Sequence, residues 1–196
     1  MTVKLAVLLS GGGRTLLNLH EAIVAGQLDA SVTVVISSLR TAKGLLRAAE
    51  CGFETMVLRP RDYEDSAAFA RAQAQAIQDS EADLVVMAGY LVHFPVPQGW
   101  EQRIVNIHPS LLPRHGGKGL FGNRVHASVL TAGDPSSGCT VHVVDDQYDH
   151  GPVLAQTEVP VLPDDNVDTL AARVFDAECR TYPAAIRAHA QSLGLL

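Results

Sequence analysis

Between residues 3 and 107, short apolar runs alternate with stretches whose apolar residues recur at helical spacing. The runs cover residues 3–9, 32–37, 55–58, 84–88 and 103–107. Between them, Leu16, Leu19 and Ile23, then Ala42, Leu45, Leu46 and Ala49, then Phe69, Ala72, Ala76 and Ile77 mark helical faces. Nearly continuous apolar strands are those buried on both sides. Strands that alternate with helices imply βαβ units, and right-handed crossovers then place the helices on both faces of a parallel sheet. The expected fold is therefore α/β: a Rossmann-like, mostly parallel twisted sheet.

The pattern changes after Pro113. Residues 114–123, RHGGKGLFGN, hold four glycines and read as a loop. Residues 125–131 suit a helix. Residues 139–144 alternate, and 153–159 can pair with them as a C-terminal antiparallel hairpin. A last helix is expected to start near Asn166 and to pack through Leu170, Val174 and Ala177. No repeat or linker interrupts the chain, so residues 1–196 are expected to form a single domain.

The net charge of −6 argues against a nucleic-acid partner, which would call for a basic face. Three widely spaced cysteines, Cys51, Cys139 and Cys179, suit a reducing compartment rather than a disulfide framework. The N-terminal apolar run is too short to span a membrane, and no cleavage pattern follows it. A cytoplasmic protein with no membrane partner is the expectation.

Four stretches carry possible chemistry. LLSGGGRTLLNL, residues 8–19, is a glycine-rich turn between a strand and a helix. Such a turn can present backbone N–H groups to an anion, or can simply need small residues. It matches neither GxxxxGK nor GxGxxG. RIVNIHPSLLP, residues 103–113, sets Asn106 and His108 two apart, so an extended chain aims both to one side. Pro109 biases His108 toward that extension. The pair can serve catalysis at a strand's carboxyl end or cap the strand by hydrogen bonding.

VHVVDDQYDHGP, residues 141–152, reads as a turn carrying Asp149, which a solvated surface hairpin would also explain. YLVHF, residues 90–94, can line a slot for a planar ligand or pack in the core. Eight histidines are present, but HExxH and HxH are absent, and no metal is expected.

In order along the chain, SGGG, AGY at 88–90, NIHPSLLP at 106–113, GCTVH at 138–142 and DHGPV at 149–153 resemble the folate-dependent formyltransferases. The resemblance covers essentially the whole chain. It implies transfer of a formyl group from 10-formyltetrahydrofolate, as cosubstrate, to the primary amine of glycinamide ribonucleotide in purine synthesis. The family's catalytic Asn, His and Asp fall on Asn106, His108 and Asp149. Resemblance further implies acceptor binding by Gly12, Gly13, Arg14, Thr15 and Glu178. It implies folate binding by Leu91, Val92, Phe94, Asp145 and Asp149. The 1–100 half would then bind phosphate, and the 101–196 half would hold the catalytic groups and the folate.

The chemistry of those residue types fits. Amine attack on a formyl carbon builds an oxyanion that Asn106 and a protonated His108 can stabilise. Asp149 can favour that protonated ring and order a water for proton traffic. Two positions depart from the family's pattern. The turn continues Gly13-Arg14-Thr15 where Gly-Ser-Asn is usual, and Val92-His93-Phe94 follows AGY where an Arg is often found. Ser66 falls where a second phosphate-binding Arg is usual.

The related methionyl-tRNA formyltransferase and formyltetrahydrofolate deformylase carry extra domains for which this length leaves no room. A monomer or homodimer is the expectation for assembly. A formyltransferase with another amine acceptor, or a non-catalytic nucleotide- or folate-binding module, are the alternatives. The trio speaks against the second, since a binder needs none.

Overall fold

The computed structural model describes residues 2–196. It has seven strands and five α-helices; the first four strands alternate with helices as βαβ units require, and the fourth leads to the fifth with no α-helix between. They are β1 (Val3–Leu9), α1 (Arg14–Val24), β2 (Ala30–Ser37), α2 (Lys43–Glu50), β3 (Thr55–Val57) and α3 (Ser66–Asp79). Then come β4 (Leu84–Met87), β5 (Ile104–His108), α4 (Asn123–Ala132), β6 (Ser136–Val143), β7 (Val153–Pro160) and α5 (Val167–Ser192). The strands form one sheet in the order β3-β2-β1-β4-β5-β6-β7. The first five are parallel, and β6 and β7 run antiparallel.

Alternate side chains divide the core. Leu5, Val7 and Leu9 of β1, with Val105 and Ile107 of β5, pack under α1 and α5. Ala6 and Leu8, with Val85, Met87 and Ile104, pack against Phe69 and Ile77 of α3. Helix α1 buries Leu16, Leu19 and Ala22, the i, i+3, i+6 face of its pattern. Helix α5 starts where Asn166 caps it, with Thr169 completing a reciprocal capping box. Further along, the buried Tyr182 hydroxyl lies 2.8 Å from the Met87 carbonyl and 3.2 Å from that of Val105. That contact ties α5 to the end of β4 and the start of β5.

The hairpin of β6 and β7 is present as expected, but β6 begins at Ser136 rather than Cys139. Ser136, Ser137 and Gly138 lack the apolar alternation, yet their backbones pair with Pro160, Val159 and Glu158. Gly138 meets β7 so closely that a β-carbon there would stand 2.1 Å from the Thr157 oxygen. Strand β5 runs one residue further than expected and ends on His108. Among the described residues, no helix is long and apolar enough to cross a membrane.

Candidate active site

In open α/β sheets, ligands lie beyond the carboxyl ends of the strands where the strand order reverses. Here that point falls between β1 and β4. The turn after β1 and the turn after β4 are joined through Ser10, whose N–H donates to the Gly89 carbonyl at 2.9 Å and whose hydroxyl accepts from Leu91 N–H at 2.9 Å. A cavity of about 590 Å³ opens beside them. It is bounded by the glycine turn, the ends of β4 and β5, the 117–122 loop and one face of α5. That size suits a small-molecule ligand.

Asn106, His108 and Asp149 all line this cavity, although Asp149 lies far along the chain from the other two. Asn106 and His108 share a face of β5, as their spacing requires, while Ile107 faces the core behind. The pleat of β6 brings His142 opposite Asn106. Asn106 Nδ2 lies 3.1 Å from His142 Nε2, and His142 Nδ1 lies 3.0 Å from the Val143 carbonyl. That carbonyl takes the Nδ1 proton, so Nε2 offers a lone pair to the Asn106 amide. One Asn106 N–H is thereby engaged and the amide plane is set.

His108 is 4% exposed and meets an acceptor at each ring nitrogen. Its Nε2 donates to the His115 carbonyl at 2.9 Å, and its Nδ1 lies 3.4 Å from Asp149 Oδ1. The pair is electrostatically complementary when Nδ1 also carries a proton. The other Asp149 oxygen accepts from Gly117 N–H at 2.9 Å. Burial opposes ionisation of Asp149, but the hydrogen bond and charge of His108, with the Gly117 N–H, outweigh it and hold the carboxyl well below its usual range. Asp149 adopts a left-handed backbone with φ 54°, which an Asp tolerates better than most residues.

Gly11, Gly12, Gly13, Arg14 and Thr15 also line the cavity. The guanidinium carbon of Arg14, the first residue of α1, lies 4.1 Å from the Phe175 ring centroid, a cation–π contact. Arg14 is exposed, yet its guanidinium is held against the cavity wall. Glu178, one helical turn beyond Phe175, shares that wall. Desolvation pushes its carboxyl up to about 7, against the pull of Arg14 and His108. His126 of α4 is 4% exposed, and its Nδ1 has no partner among the described residues. Desolvation, then Arg14 and His108, push it down to about 4, so this ring is neutral near pH 7.

The expected folate residues divide. Leu91 is exposed and lines the cavity. Val92 and Phe94 do not: Phe94 is 3% exposed in the core around α3, and Val92 packs against the same cluster. Core packing, the other reading of YLVHF, accounts for those two. Asp145 is likewise off the cavity wall, bonded at 2.7 Å to His150 Nδ1 and at 2.8 Å to Gln147 N–H. The two segments expected to flank a folate do touch: His93 Nε2 is 3.2 Å from the Asp146 carbonyl, and the His93 and Tyr148 rings meet edge-on at 5.4 Å. Ser66 opens α3 as an exposed residue and is not on the cavity wall.

Sequence reasoning did not single out His142, His126, Phe175 or Tyr148. Alternation did signal His142, because it shares a strand face with Thr140. Its partner depended on the β5–β6 register, which the alternation leaves open.

The formyl transferase family model matches residues 3–186, and the chain belongs to that family. It is 39% identical over 188 residues to the chloroplastic phosphoribosylglycinamide formyltransferase of Vigna unguiculata, covering 94% of this chain and 60% of the relative. It is 33% identical over 186 residues to phosphoribosylglycinamide formyltransferase of Haemophilus influenzae, covering 94% of this chain and 85% of that one. Glycinamide ribonucleotide transformylase 1 of Symbiobacterium toebii superposes with a TM-score of 0.90 at 37% identity, covering 97% of this chain and 89% of the other. The chain spans 60% and 62% of the length of the two plant relatives. The Rossmann-like fold expected from the sequence is shared with these structures.

Proposed function

We propose that this chain transfers the formyl group of 10-formyltetrahydrofolate to the amine of glycinamide ribonucleotide. The observation that carries the proposal is the meeting of Asn106, His108 and Asp149 at one wall of a single cavity. The names and solved folds of the relatives support the same reaction.

The amine lone pair attacks the formyl carbon and the carbonyl π electrons move onto oxygen. The Asn106 amide, held by His142, donates its second N–H to that oxyanion, and the protonated His108 ring adds positive charge beside it. The tetrahedral centre collapses by breaking its bond to the folate nitrogen. One proton leaves the new amide nitrogen and one reaches the departing folate nitrogen. Asp149, ionised and next to His108, orders the water that relays them. No covalent intermediate on the protein is needed.

The acceptor's phosphate would lie on the N–H groups of Gly12 and Gly13 at the start of α1, with Arg14 and the Thr15 hydroxyl beside it. Glu178 would take the ribose or amine side of the acceptor. The pterin would enter between the loop after β4 and the turn at residues 145–149, against Leu91 and Tyr148. The cosubstrate would thus bring its formyl carbon to the β5 tip.

Turnover with 10-formyltetrahydrofolate and glycinamide ribonucleotide tests this reading. Release of formylated glycinamide ribonucleotide at rates typical of enzymes is expected. Absence of product, or equal turnover with an amine lacking the ribose phosphate, would overturn the acceptor assignment.

A further inference from the structure

His115 does not line the cavity, yet it is tied to His108 and Asp149 through its backbone and its neighbours. Its carbonyl accepts the His108 Nε2 proton at 2.9 Å. Two residues on, Gly117 N–H donates to Asp149 at 2.9 Å. Between them, Gly116 packs so tightly that a β-carbon would stand 2.4 Å from Leu112 Cδ2 and 3.3 Å from Asp149 Cβ. One strap, residues 115–117, therefore holds both members of the His108–Asp149 pair.

The strap needs a restraint of its own. His115 has φ 55°, a left-handed conformation disfavoured for residues with a β-carbon. Such a conformation persists where its surroundings over-determine it. The restraint is the His115 ring. Its Nε2 donates to Asp134 at 2.7 Å, and its Nδ1 accepts from the Ser128 hydroxyl of α4 at 2.8 Å. Arg114 pairs with the same Asp134 carboxylate.

A chain of Ser128, His115 and Asp134 has the order of a hydrolytic triad. The cavity on its Asp134 side is only about 10 Å³, room for about one water. What lies within reach is His108.

We propose that His115, clamped by Ser128 and Asp134, is a positioning residue for His108, fixing the carbonyl that sets the orientation of the catalytic ring. The inference rests on the formyl-transfer reading of the cavity. When the clamp is removed, residue 115 relaxes toward negative φ and its carbonyl turns away from Nε2. The ring then loses its register against Asp149 and the formyl carbon, while substrate contacts elsewhere are untouched.

The test compares His115→Ala, His115→Asn and Asp134→Asn with the parent protein. His115→Ala is expected to lower kcat about ten- to a hundredfold, the scale of a misplacement of about 1 Å. KM for both substrates should stay within about twofold. His115→Asn should recover much of the rate, since Asn tolerates the left-handed region. In a His108→Ala background, His115→Ala should have almost no further effect, because the two act through one ring. Selectively ¹⁵N-labelled imidazole NMR should show the His108 Nε2 signal moving in His115→Ala without substrates present.

A kcat within twofold of the parent, or an equal loss in both backgrounds, would overturn the proposal. If His115→Ala does not fold, Asp134→Asn and Ser128→Ala carry the same comparison. An inactive parent protein whose His108 signal still moves would sink formyl transfer and leave the strap standing. An unmoved signal would sink the strap.

Discussion

Asn106 and His142 stand opposite one another in the β5–β6 ladder, with Asn106 Nδ2 3.1 Å from His142 Nε2. The contact makes the antiparallel strand part of the wall that carries Asn106, His108 and Asp149. A free Asn side chain rotates, and its oxygen would repel an oxyanion as readily as its NH2 would attract one. His142 removes that freedom by accepting one N–H. His142→Ala is therefore expected to lower kcat by about tenfold, a neutral hydrogen bond's worth, with little change in KM. Steady-state kinetics in both substrates measures the split.

His108→Ala and Asp149→Asn are each expected to cost about a hundredfold or more in turnover, the usual range for acid–base groups. Circular dichroism and substrate KM should change little. Near-parent turnover from either variant would remove that residue from the mechanism.

Arg14→Ala is expected to raise KM for the phosphorylated acceptor about ten- to a hundredfold, and KM for the folate little. A charge-assisted contact of roughly 1.5–3 kcal/mol corresponds to that range. Phe175 bears on the result, because its ring lies 4.1 Å beneath the guanidinium and fixes where the charge stands. Phe175→Leu should reproduce part of the loss. An unchanged acceptor KM in Arg14→Ala would leave the backbone turn as the phosphate's local donor.

Stability should respond to pH in opposite senses at three cavity residues. Glu178 is pushed up to about 7, so the folded chain holds a proton that the unfolded chain releases from about 4.5 upward. Its contribution is full below pH 4.5 and lost as pH rises through 7, on the order of 2 kcal/mol after allowance for the open cavity. His126, pushed down to about 4, works the other way: its contribution is present above 6.5 and lost as pH falls through 4. Asp149, lowered from 3.8, contributes above that value and loses the contribution in stronger acid. Denaturant melts between pH 4 and 8 should show Glu178→Gln relieving the loss seen in the parent on the alkaline side. Identical pH profiles for the two proteins would contradict the burial of Glu178.

The alternation of apolar runs made the parallel half of the sheet readable, because strands buried on both faces leave a continuous hydrophobic signature. Asn106 and His108 were readable for a related reason: period two puts them on one face whatever they pair with. Asp149 was placed by resemblance alone, since a DHG turn looks the same in a surface hairpin. The start of β6 was missed because Ser136 to Gly138 are held by backbone pairing, which leaves no trace in side-chain polarity. Val92 and Phe94 lie in the core cluster rather than on the cavity wall, a choice the sequence leaves open because an apolar residue after a strand reads alike whether it faces a ligand or the core. His115 and His142 gain their roles from partners far away in sequence, so no local pattern could announce them.

The glycine turn also settles how freely its residues can drift. A β-carbon on Gly13 would stand 2.7 Å from the Gly44 backbone, and one on Gly44 would stand 2.8 Å from Leu9. The starts of α1 and α2 thus meet main chain to main chain at Gly13, where a side chain would lever the helices apart, while one at Gly44 would press on the Leu9 side chain of β1. Gly12 has no such neighbour, with only an Arg47 nitrogen 3.8 Å from where its β-carbon would be. Residues 13 and 44 are consequently kept small by the packing around them, whereas residue 12, whose carbonyl accepts from Arg47 at 2.6 Å, has room for a side chain. A library randomised at all three positions would separate the two pressures: survival of the fold would filter 13 and 44, and survival of binding would filter 12.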